Sequence, residues 1–223
     1  MKKKSKQGSY MSFFIRLIES TDNSRRELEA LPKVQDMLNS RMSRETYQAF
    51  LMDLYHIVWH FCPIMAAAAS HCPDEFRDVR YHLYNNINEE KGHESLVLND
   101  LAVFGVSAQQ VAAAPPTYPV QAMIAYNYHA AERIHPCAAL GMLYVLEIIS
   151  SVYGGQVATS ISRGLNMELP DGFTFLESHA SMDMDHMAKL RALLQKITDE
   201  EVQDIVINAI HMNFYLFIKF LSQ

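Results

Sequence analysis

Residues 138–153 carry one charge, Glu147, in a stretch that is otherwise apolar or uncharged on every face. A helix hydrophobic all round has to be buried, either inside a protein core or in a bilayer. A carboxylate at mid-span is costly in lipid. The flanking His135, Pro136, Gly154 and Gly155 further interrupt any membrane-like run. The expectation is therefore a core helix packed by neighbours on several sides. A buried carboxylate without a partner costs several kcal/mol even after relaxation. Glu147 must accordingly meet a cation, a hydrogen-bond network or a metal ion contributed by another helix.

The rest of the chain supports such a core. Apolar residues recur at helical spacing, and no alternating strand pattern of useful length occurs. Short helices are expected over 10–19 and 24–38. A long one follows over 43–71, with Ser43 as N-cap and Glu45 in the first turn where the dipole favours an acid. Further helices are expected over 73–105, 120–134, 136–163 and 173–196, with a loop at 112–119 and a turn at Leu169-Pro-Asp-Gly172. A capping box from Thr198 and Glu201 should open a last helix ending at Ser222. At 223 residues the chain suits one well-buried domain. The reading is an all-α, single-domain bundle of about seven helices over 10–223, preceded by a flexible basic tail at 1–9.

A formal net charge of −6 argues against nucleic acid as a partner. The basic residues at 2–6 are followed by Gly8, Ser9 and Tyr10 and not by an apolar signal core, so no targeting or membrane segment is expected. Cys62, Cys72 and Cys137 lack C-x2-C spacing and fit a reduced, cytoplasmic protein without disulfides.

Chemistry concentrates in His179, Asp183 and His186, an H-x3-D-x2-H triplet. Offsets of four, three and seven residues return to one side of a helix, so the three side chains can aim at one spot. Upstream, Glu90 and His93 repeat the acid-x-x-His spacing, with Glu89 as the alternative to Glu90 because a spacing of four also serves. Together with Glu147 these segments offer three histidines and three carboxylates. Two acid-x-x-His pairs with inward carboxylates on other helices follow the logic of two-metal sites in bundles. Imidazole with carboxylate suits iron, manganese or zinc better than calcium or magnesium. His56 and His60 have no acidic partner continuing their face and are expected to satisfy core hydrogen bonds or support a pocket.

These residues resemble those of the haem-oxygenase-like di-iron oxidases and oxygenases, which share the seven-helix fold of TenA-type thiaminase II, pyrroloquinoline-quinone synthase and haem oxygenase. E-E-K-G-H at 89–93, L-E-I at 146–148 and H-A-S-M-D-M-D-H at 179–186 carry the resemblance, which covers 43–223. The first forty residues do not enter it. It implies Glu90, His93, Glu147, His179, Asp183 and His186 as ligands to two irons per chain, with manganese or a mixed centre using the same set. It implies activation of O2 to oxidise a small organic substrate, and a homodimer. Tyr55, Trp59, Tyr126 and Tyr144 are candidates for the pocket wall.

The shared fold also supplies alternatives. Pro136-Cys137 and Asp53 in M-D-L-Y look similar to features of thiaminase II, a hydrolase with a cysteine nucleophile, which has no use for Glu147 or the triplet. A cofactorless quinone-forming oxidase and a non-catalytic metal-binding or interaction module remain on the same scaffold. Haem oxygenase is disfavoured, because no histidine precedes His56 to hold haem from the N-terminal side.

Overall fold

The computed structural model describes residues 12–223, without the side chains of 180–185. The basic tail expected at 1–9 lies outside that range. Ten α-helices account for most of the described chain, and no strand occurs among the described residues. α1 (Phe13–Glu29) and α2 (Pro32–Leu38) form an N-terminal hairpin. The expected break inside 20–23 does not occur. Thr21 bonds back to the Leu17 carbonyl, and Asp22 pairs with Arg25 and Arg26 one turn on, so the helix continues. It stops instead before Pro32, whose predecessor is held out of the helical region.

α3 (Arg44–His71) starts where its cap requires, with Ser43 Oγ accepting from the Thr46 amide at 3.1 Å. The single helix expected over 73–105 is divided. A 3-10 turn leads into α4 (Arg77–Glu90), and α5 (Glu94–Val103) follows after a break at Gly92, whose φ of +90° only glycine takes without strain. Part of the expected loop is helical as well, since Ser107 and Gln110 close a capping box on α6 (Ala108–Ala113). α7 (Tyr118–His129) ends in a π-helical turn, Ala130–Ile134, ahead of His135-Pro136.

α8 (Ala139–Leu165) is the buried helix the apolar run demands, packed by α2, α3, α9 and α10. Its approach to α10 needs Gly141, where an added Cβ would stand 2.6 Å from Ala209 Cβ. α9 (Thr174–Leu194) lies along α8, and α10 (Glu200–Leu221) closes the bundle. The cap of α10 is Asp199, accepting from the Glu201 and Val202 amides, so the Thr198 capping box is not the one used. The spans Arg44–His71, Pro136–Leu165 and Glu200–Leu221 are long and apolar enough to cross a membrane by length and composition alone. Over half of the most apolar stretch of the latter two is buried inside the bundle.

Candidate metal centre

Glu90 is the last residue of α4, the Gly92 turn delivers His93 just ahead of α5, and α9 passes with His179. Glu90 Oε2 lies 2.8 Å from His93 Nδ1 and 3.4 Å from His179 Nε2, and those two nitrogens are 3.1 Å apart. Two ligand atoms about 2.1 Å from one ion stand about 3.0 Å apart at a right angle and about 3.4 Å apart at the tetrahedral angle. The three separations span the edges of a single coordination shell, and nitrogen with carboxylate oxygen is a donor set for iron, manganese or zinc. These residues fit a transition-metal ion.

The backbone prepares His179 for this role. Its Nδ1 is 2.9 Å from the Phe175 carbonyl oxygen, which can only accept, so Nδ1 carries a proton and Nε2 is the atom turned to the cluster. The Phe175 ring stacks on the imidazole at 4.0 Å between centroids, limiting its rotation. Burial pushes the Glu90 carboxyl up, but hydrogen bonds and charge from His179 and His93 outweigh it and hold the group at about 2. Glu90 is therefore a carboxylate at neutral pH.

His186 is buried two turns further along α9, with Nδ1 3.5 Å from Glu90 Oε1 and Nε2 3.0 Å from Glu89 Oε2. Glu90 thus divides its oxygens, Oε2 toward His93 and His179 and Oε1 toward His186. Glu89 sits at the rim, its other oxygen 2.9 Å from Lys189 Nζ at the surface. Of the two neighbouring acids, the buried Glu90 is the one inside the cluster. Asp183 falls among the residues whose side chains are not described. Glu147 is buried and shares with Glu90 and His179 the wall of a cavity of about 140 Å3 between α1, α2, α3, α8, α9 and α10.

Away from those three residues and from Ser150 and Tyr153 of α8, that cavity is apolar. α3 contributes Phe50, Leu54, Ile57 and Phe61, a face repeating every three or four positions. Tyr55, Trp59, Tyr126 and Tyr144, the expected wall, stand elsewhere. Tyr55 and Trp59 are one helical step round from the cavity face, and Trp59 is 48% exposed. Tyr126 lines a separate cleft with Ile134 and Glu200, and Tyr144 is buried near Thr21 and Arg25. His56 and His60 are engaged at the Ala114 carbonyl and the Tyr128 hydroxyl, at 3.0 and 3.1 Å.

The residues of the cysteine-hydrolase alternative are not at this cavity either. Cys137 is fully buried, and burial pushes its thiol far up, the wrong direction for a nucleophile. Asp53 accepts from the Thr117 amide and hydroxyl, both at 2.8 Å, and so holds the start of α7.

One positioning residue escaped the sequence reading. α9 begins after Phe173, which cannot cap it, and Asp100 of α5 takes over. Its carboxylate accepts from the Thr174 amide at 2.8 Å, the Thr174 hydroxyl at 2.6 Å and the Phe175 amide at 2.9 Å. The available signal was a helix start whose capping position, Phe173, has no side-chain oxygen to offer.

A family described as iron-containing redox enzymes matches residues 48–215 of the chain. No curated protein matches. Among solved structures, the chain is similar to a domain of unknown function with a heme oxygenase-like fold from Shewanella denitrificans. That pair shares 22% identity over 96% of this chain and 92% of the other, with a TM-score of 0.84. A TenA homolog from Pseudomonas syringae pv. tomato has 16% identity over 96% and 93% of the two chains and a TM-score of 0.81. Heme oxygenase from Leptospira interrogans has 18% identity over 95% and 99%, with a TM-score of 0.75. At these identities the likenesses establish the haem-oxygenase-like fold and nothing finer.

Proposed function

The chain belongs to the iron-containing redox enzymes, and from that premise we propose that it is a non-haem di-iron oxidase or oxygenase acting with O2 on a small, mainly apolar organic substrate. The observation that carries the reading is the buried Glu90 carboxylate with His93 and His179 on one oxygen and His186 on the other, beside an apolar cavity. A carboxylate so divided suits two neighbouring ions. Glu90, His93, Glu147, His179, Asp183 and His186 would hold them. Iron bound there supplies the electron transfers that O2 chemistry needs.

The chain's own residues set the conditions for that chemistry. The Phe175 carbonyl holds the Nδ1–H of His179, so Nε2 is the atom left to bind metal. Carboxylates from α4 and α8 offset metal charge in an interior that would otherwise oppose it. Phe50, Leu54, Ile57 and Phe61 keep water from the substrate end, strengthening every polar interaction within it.

Anaerobic loading with Fe(II) followed by metal analysis tests the reading. About two irons per chain are expected, falling to one or fewer in His179→Ala, and exposure to O2 should give a transient visible absorption band. Stoichiometric iron with no O2 consumption would instead favour a non-catalytic metal-binding protein. Loss of activity in Cys137→Ala with His179→Ala fully active would favour the cysteine hydrolase.

A further inference from the structure

The substrate's polar requirement can be taken one step further, resting on the reading that this cavity is where substrate is oxidised. α8 presents Leu146, Glu147, Ile149, Ser150, Tyr153 and Val157 to it. Ser150 stands three residues beyond Glu147 and so on the same helix face, one turn along. Its Oγ is buried and has no hydrogen-bond partner among the described residues. This contrasts with its neighbour Ser151, whose hydroxyl returns to the Ile148 carbonyl at 3.2 Å. A buried hydroxyl left without a partner is costly, and in a well-packed interior it calls for an explanation. The other polar group on this part of α8, the Tyr153 hydroxyl, is already committed to the Glu29 carboxylate of α1.

Charge narrows the class of ligand. No lysine or arginine is among the described residues lining the cavity, so away from the metal ligands a free anionic group would be buried there without a counter-ion. Size narrows it as well. At about 140 Å3 the space is close to the roughly 150 Å3 of an engineered apolar cavity that admits benzene.

We propose that Ser150 is the positioning residue for substrate, and that the substrate is a compact apolar molecule with one uncharged hydrogen-bonding group, such as a hydroxyl, which Ser150 Oγ engages one turn from Glu147. The hydrogen bond fixes which carbon faces the cluster of Glu90, Glu147 and His179. The apolar body fills the space between α2, α3 and α10.

Calorimetric titration of the full chain with benzyl alcohol and with toluene tests this, with iron content measured on the same samples. Benzyl alcohol should bind roughly three- to tenfold more tightly than toluene, the range one buried hydrogen bond gives. Ser150→Ala should reduce that preference to within about twofold while leaving toluene affinity and iron content unchanged, and Ser150→Thr should restore it. An undiminished preference in Ser150→Ala would overturn the proposal, as would failure of both probes to bind the parent protein. Because iron content is read separately, neither result bears on the metal centre.

Discussion

Asp100→Ala removes the only side chain shown capping α9, and the cost can be worked from the contacts. Thr174 and Phe175 lose their amide acceptors at 2.8 and 2.9 Å, and the Thr174 hydroxyl loses its partner at 2.6 Å. Phe175 is buried and Asp100 is 1% exposed, so water reaches these donors poorly. An orphaned buried donor costs about 1–3 kcal/mol, and a lost cap about 1 kcal/mol, so a loss of about 3 kcal/mol is expected. The damage reaches the metal centre through one atom, because the Phe175 carbonyl that sets the His179 tautomer sits in the same first turn. Loss of such an outer partner typically costs ten- to a hundredfold in metal affinity. Urea unfolding with parallel iron titration measures both effects. Asp100→Asn, which keeps one acceptor oxygen but turns an NH2 toward donors, should fall between parent and alanine variant. A variant within about 0.5 kcal/mol of the parent, with unchanged iron affinity, would refute the reasoning.

Gly141→Ala should destabilise the fold by about 1–3 kcal/mol, because the new methyl meets both the Ala209 side chain and backbone where α8 and α10 touch, and a thermal melt will show it. Asn213→Ala breaks the reciprocal pair with Asn127, whose two bonds measure 2.8 and 3.0 Å; a loss of about 2 kcal/mol is expected by urea unfolding, and a double variant with Asn127→Ala should lose less than the sum of the singles. Burial raises the thiols of Cys62, to about 11, and of Cys72 and Cys137. The sign runs against the thiolate, so at pH 8 only about one Cys62 in a thousand is ionised. Iodoacetamide should therefore label the native protein slowly and the urea-unfolded protein fast, as mass spectrometry can follow.

The long helices and most of the cluster were legible because their signals are local. Ser43 announces α3 and the run around Glu147 announces a buried helix, while Glu90, His93 and His179 stand together with the first two joined across a turn and not along one helix face. Misreadings arose where local bonds or a glycine override the pattern, and where a partner distant in sequence decides. Thr21 and Asp22 look like terminators but are absorbed into α1 by bonds one turn away. The periodic flanks of Gly92 hide the break between α4 and α5. Asp100 acts on an amide 74 residues later, which no local pattern reveals. Tyr55 and Trp59 fall a single step round α3 from the cavity face, since aromatic character says nothing about which face of a helix meets a neighbour.

The left-handed glycine between Glu90 and His93 has a consequence for finding such centres in other chains. Acid and imidazole here meet across a joint between two helices and do not share one cylinder, so their separation is set by the turn and not by a fixed pitch. A chain with one residue more or fewer at that joint could bring the same two groups together by bending it differently. Searches that insist on a rigid acid-x-x-His string would pass over relatives of that kind.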